Sequence, residues 1–188
     1  MTRSKPEHPS VTRPPTQPPM GEVLRDGQRI GMRFVRQLAH PVEKVWAALT
    51  ESDQLRHWMP CDIVGERRAG ADIILSFWPA QVEKYQLQET SLPGTIEVWE
   101  PPVVFQWTWG GDVVRFELAS TTTGTTLTFT TWLESTARGD AASVAGGYHV
   151  CLDALRLLLD TGSAPPLVDG DERVHELEAA YAERLQAG

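Results

Sequence analysis

From Gly27 onward, "GQRIGMRFVRQLA" alternates apolar and polar positions, placing Ile30, Met32, Phe34 and Leu38 on one face. A period of two over this length predicts a half-buried strand. His40-Pro41 breaks the pattern, and Pro41 suits the first turn of a helix, where its missing N–H costs nothing. Val42, Val45, Trp46 and Leu49 then recur at i, i+3, i+4 and i+7, the apolar face of a short helix. Ser52 suits the N-cap of a second short helix bearing Leu55, Trp58 and Met59.

A long β region follows. In "ADIILSFW", Ile73, Leu75 and Phe77 alternate with Ile74, Ser76 and Trp78. The more polar residues 81–91 read as a further strand, and "PGTIEVWEPP" as one bounded by turn residues. "VVFQWTWGGD" sets Val103, Phe105, Trp107 and Trp109 on one face before the hairpin signal Gly110-Gly111. "DVVRFELAS" and "GTTLTFTTWL" complete the meander. After Ala137 the period becomes helical. Val144, Tyr148, Cys151, Leu152, Leu155, Leu158 and Leu159 trace one stripe, stopped by Gly162, Pro165 and Pro166. Val174, Leu177, Tyr181 and Leu185 mark a last amphipathic helix.

A curved antiparallel sheet needs one face covered, and a helix with one apolar stripe needs somewhere to bury it. The pattern therefore predicts an α+β helix-grip fold. A curved antiparallel sheet wraps around a long C-terminal helix, with two short helices after the first strand and an extra terminal helix. This geometry tends to leave a cavity between helix and sheet. The domain is expected over residues 22–162, with a linker and additional helix over 163–188. Residues 1–21 are expected to be a disordered tail, because its first 20 residues carry six prolines and almost no bulky apolar side chains.

Composition narrows the partners. A chain of 188 residues has room for one domain with appendages. A net charge of -8 repels a phosphate backbone, and the densest basic cluster is the pair Arg67-Arg68, so no nucleic-acid partner is expected. No apolar leader and no apolar run of about 18 residues occurs, which predicts a cytoplasmic protein with no membrane span. Cys61 and Cys151 are far apart and read as reduced thiols.

The motifs of common chemistries are missing: no HExxH, CxxC, nucleophile elbow, P-loop or dinucleotide fingerprint occurs. The five histidines are scattered, so neither a metal nor a cofactor is expected. His149 and Asp153 lie four apart and share one flank of the long helix. With Tyr148 centring the apolar stripe, His149 is expected at the cavity margin. There it serves as a general base oriented by Asp153, or stands as an edge histidine bonded to a strand or to solvent. Cys151 reads as a core thiol. Arg115 and Glu117, opposite Val114, Phe116 and Leu118, form either an outward ion pair or a charged anchor in the cavity. Seven tryptophans either fill the core or line a cavity for a flat apolar ligand. On the second reading, Trp58 and Met59 form a rim. Phe77, Trp99, Trp107 and Trp109 face the ligand, across from Tyr148, His149 and Leu152.

"HPVEKVWAALTESDQLRHW", "GTIEVWEPPVVFQWTW", "GTTLTFTTWL" and "GGYHVCLDALRLLL" occur in this order within residues 28–160. Together they resemble the activator-of-heat-shock-protein-90-ATPase homologue family of the START-like, SRPBCC superfamily. The closing "VHELEAAYAERL" resembles that family's extra helix. The resemblance implies a helix-grip domain enclosing a hydrophobic pocket. Members of the superfamily bind lipids, polyketides, hormones or other apolar molecules, and some are cyclases, aromatases or hydrolases. No catalytic residue set is shared across the family. The chaperone role of the eukaryotic namesake depends on a separate N-terminal domain, where this chain has a short proline-rich tail. Family members often pair as dimers. The expectation is a protein that sequesters or senses a small apolar molecule. A cyclase- or hydrolase-type enzyme using His149 with Asp153 is the alternative, and a chaperone-related interaction module is the third reading.

Overall fold

The alternation after Gly27 becomes the second arm of a hairpin, β1 (Glu22–Asp26) and β2 (Arg29–Leu38). The first arm is a strand that periodicity did not announce, because "EVLRD" has no apolar alternation to read. The computed structural model describes residues 19–164 and 171–187. Most of the expected N-terminal tail lies outside those residues. Pro19 and Gly21, assigned to that tail, are tied to the domain: the Pro19 carbonyl accepts a bond from Arg36, and the Gly21 N–H donates to Tyr181.

Two short helices follow β2, α1 (Val42–Thr50) and α2 (Ser52–Leu55). Then come β3 (Cys61–Gly65) and β4 (Asp72–Phe77). The next element corrects an expectation. Residues 79–85 form a helix, α3 (Pro79–Tyr85), where a polar strand was expected from residue 81. Pro79 supplies the fixed φ favoured at a first helical position, and Gln, Glu and Lys in "QVEKY" are good helix formers. Gln86 ends the helix in the left-handed region at a φ of 49°.

The meander β5 (Ser91–Glu100), β6 (Val104–Trp109), β7 (Asp112–Thr121) and β8 (Gly124–Trp132) completes the sheet. Its eight strands are antiparallel, in the order β1-β2-β8-β7-β6-β5-β4-β3. The long helix α4 (Arg138–Thr161) lies over the inner face and packs on β2 and α1, and α5 (Asp171–Ala187) packs against α4. This is the expected helix-grip α+β fold, with β1 and α3 added.

Directly opposed residues share a face, so Phe105 with Phe116, and Phe116 with Phe129, extend one aromatic row across β6, β7 and β8. The row is buried, and Trp107 stacks on Phe116 with ring centroids 5.6 Å apart. Trp46 on α1 meets Trp99 and Phe105 at 5.1 and 6.3 Å. Val103 stands just before β6 and is exposed, outside the row in which the pattern placed it. On the outer face Arg115 pairs with Glu117 at 2.9 Å and with Gln106, the outward alternative of the two. Cys61 and Cys151 are free and buried. Among the described residues, no helix is long and apolar enough to cross a membrane.

Candidate binding cavity

The two-residue turn Gly110-Gly111 pairs Trp109 directly with Asp112, so both side chains project to the inner face of the sheet. Above that end of the sheet runs the first half of α4, and α3 closes the side. Between them lies a cavity of about 400 Å³. The sheet contributes Trp109 and Asp112, α3 contributes Gln81 and Tyr85, and Pro60 follows the buried Met59. The α4 wall is Ser143, Val144, Gly147, Tyr148, Val150 and Cys151, with Val174 of α5 beyond. The walls are mostly apolar, and the cavity opens to solvent beside the exposed Ser143 and Tyr85.

Gly147 gives the cavity part of its room. It sits inside a 24-residue helix, where glycine costs about 0.5–1 kcal/mol relative to alanine. A Cβ there would meet no atom of the described residues within 4 Å. Its neighbour Gly146 has a different cause: a Cβ there would come within 3.2 Å of the Glu178 nitrogen and the Val174 carbonyl oxygen. Gly146 lets α5 approach, while Gly147 leaves space.

Burial governs the polar groups of the lining. It pushes the Tyr148 hydroxyl well above its ordinary range and the Cys151 thiol up to about 12, so both stay protonated and uncharged at neutral pH. Burial likewise raises Asp112, against the Glu134 N–H that donates to its Oδ1 at 2.7 Å. Asp112 is the one carboxylate among the described lining residues, and no Lys, Arg or His takes part. Among the described residues no three His, Cys, Asp or Glu side chains gather as metal ligands would.

Of the residues singled out in the sequence, Trp109 and Tyr148 stand in this wall. Phe77 lies behind it, 6.1 Å from the Trp109 ring. Trp107 and Leu152 are buried in the core, and Trp99 packs on Trp46 and Phe105. Trp58 and Met59, expected at a rim, are 1% and 0% exposed. Trp58 plugs the core because its Nε1 donates to the Ala48 carbonyl at 2.8 Å and its ring meets Phe116 edge-on.

His149 is corrected most. It is buried on the far flank of α4, against Phe34 and Tyr181 rather than at the cavity margin. The apolar stripe does not centre on Tyr148, because α5 covers a second flank of α4 that the sequence left open to solvent. Nδ1 is bonded to the Tyr181 hydroxyl at 2.9 Å, and Nε2 lies 3.7 Å from Asp153, too far for a hydrogen bond. Burial, with help from Arg36 and Arg173, lowers His149 to about 4. A base so weak and so placed does not serve chemistry in the cavity.

Sequence reasoning missed Asp112, Gly147, Gln81 and Tyr85. The first two left a signal, as an acid directly across a glycine turn from a tryptophan and a glycine within a helical stripe. The other two sit on α3, whose polar sequence reads as a strand.

Three solved structures share this architecture. The conserved protein of unknown function EF2215 from Enterococcus faecalis matches with a TM-score of 0.72 at 19% identity, covering 89% of this chain and 91% of its own. The protein encoded by gene BPP1335 from Bordetella parapertussis matches at 0.64 with 28% identity, over 89% and 92%. CalU16 from Micromonospora echinospora matches at 0.61 with 19% identity, over 88% and 96%. No curated protein matches the chain. The family model for the activator of Hsp90 ATPase homolog 1-like protein matches residues 39–160, most of the described domain. The chain belongs to the activator of Hsp90 ATPase homolog 1-like family.

Proposed function

We propose that the protein binds a small, mostly apolar molecule in the cavity between α3, α4 and the β6–β7 hairpin, to sequester or to sense it. Gly147 is the observation that carries this reading: a long helix has its least favourable ordinary residue at a cavity wall, where a Cβ would meet no atom of the described residues within 4 Å. Gly146, by contrast, is needed for packing, since α5 lies against it. The volume, about 400 Å³, falls within the range of small-molecule pockets. Affinity would come from apolar surface removed from water against Trp109, Tyr148 and Val144, and orientation from the few polar groups.

The test is native mass spectrometry and thermal shift against a panel of lipids and polyketide-like aromatics, on the wild type and on Gly147→Leu. The reading expects at least one compound to bind at micromolar concentration and to be lost when leucine fills the space. A panel that yields no binder, or a binder that Gly147→Leu holds equally well, overturns it.

A further inference from the structure

The inner face of β6 and β7 is apolar and aromatic until its last pair, where an acid faces a tryptophan. Asp112 lies directly across the hairpin from Trp109, and both line the cavity with Tyr148 and Tyr85. Resting on the reading that the cavity binds an apolar molecule, we propose that its ligand is an aromatic or alicyclic amine. Its ammonium group is bound by the Asp112 carboxylate, and its body lies against Trp109 and Tyr148.

Three observations converge on a cation. First, a half-buried carboxylate in an apolar wall is costly unless it is paired, and burial does raise Asp112. An ammonium ligand removes that cost, whereas a neutral ligand deepens it and an anion meets repulsion. Second, aromatic faces carry negative quadrupole potential, so the Trp109 and Tyr148 rings favour the same sign of charge as the carboxylate does. Third, the surrounding charge agrees in sign. Glu134, whose N–H holds Asp112 Oδ1, adds a second carboxylate, and the chain carries a net charge of -8. Among the described residues no cation enters the lining. Arg29 is the last of the influences on Asp112, opposing its rise, and lies over the Trp132 ring at 5.7 Å, and Lys84 lies over the Tyr85 ring at 5.4 Å.

The experiment compares three probes of one shape by isothermal titration calorimetry at neutral pH: 2-(2-naphthyl)ethylamine, 2-(2-naphthyl)ethanol and 3-(2-naphthyl)propionate. The amine is expected to bind at least about tenfold tighter than the alcohol, with the propionate weakest. Raising salt from about 20 to about 300 mM should weaken the amine several-fold and spare the alcohol. In Asp112→Asn, whose amide oxygen can still accept the Glu134 N–H, the amine-to-alcohol ratio should fall below about twofold. If the alcohol or the propionate binds as well as the amine, the charge assignment is overturned while the cavity reading stands. An amine preference that survives unchanged in Asp112→Asn overturns it too. If none of the three binds, the cavity reading fails for molecules of this class and the amine proposal fails with it.

Discussion

The Tyr181 hydroxyl bonds His149 Nδ1 at 2.9 Å and accepts the Gly21 N–H at 2.7 Å, so one side chain of α5 joins α4 to the residues before β1. The Gly21 N–H is the donor in its bond to Tyr181, whereas the direction of the Tyr181–His149 bond follows the tautomer of the imidazole. Tyr181→Phe keeps the ring and strands two buried polar groups. The expected loss is about 1–3 kcal/mol in unfolding free energy, read by urea denaturation. A variant as stable as the wild type would mean that water takes over both bonds.

The same neighbourhood sets a pH response. His149 titrates at about 4 in the folded protein against an ordinary 6.5, so the unfolded chain binds more protons between those values. Stability should therefore be full above about pH 6.5 and decline as pH falls towards 4, by up to about 3 kcal/mol from this residue. Buried Arg36 and the half-exposed Arg173 disfavour its protonation, while Asp153, itself raised by burial, works in the opposite sense at the acid end. The comparison of wild type with His149→Gln isolates the effect. The difference in unfolding free energy between them should shrink on acidification, and a constant difference would contradict a depressed His149.

Gly146 and Gly147 should respond in opposite directions to the same kind of change. Gly147→Ala adds a Cβ into open space on a helix and should stabilise the protein by about 0.5–1 kcal/mol. Gly146→Val pushes against the backbone of α5 at Val174 and Glu178 and should cost about 1–3 kcal/mol. Thermal denaturation of the two variants decides the matter. Equal effects would mean that α5 does not rest on Gly146.

The apolar periods of β2, α1, β6–β8 and α4 were plain in the sequence because each buries one face against a large core. What stayed hidden depended on contacts between distant segments. Arg36 continues the inner row of β2 between Phe34 and Leu38, yet it reads as a polar interruption in the sequence. In the fold it is 4% exposed, donating through Nη1 to the Pro19 and Val35 carbonyls while Nε and Nη2 have no hydrogen-bond partner among the described residues. The candidate site was half legible for the same reason. Trp109 and Tyr148 stood out by residue type, whereas Asp112 and Gly147 gain meaning only when α4 is laid over the β6–β7 hairpin. The place of His149 is hidden in the sequence because its partner lies on α5, 32 residues on.

Trp109 and Trp99 offer a paired test of where a ligand sits. Both are half-buried indoles on neighbouring strands, but Trp109 lines the cavity and Trp99 packs against Trp46 and Phe105. For any compound that binds the wild type, Trp109→Ala should weaken affinity by about 1–2 kcal/mol, the loss of one aromatic wall. Trp99→Ala should leave affinity unchanged and cost about 2 kcal/mol of stability instead, less than a fully buried tryptophan because part of its surface is already in water. Fluorescence supplies an independent reading. Trp109 is the one tryptophan among the described lining residues, so ligand quenching should fall mainly on it and largely vanish in Trp109→Phe. If quenching persists in Trp109→Phe, or affinity follows Trp99 instead, the ligand occupies a place other than the cavity between α3, α4 and the hairpin.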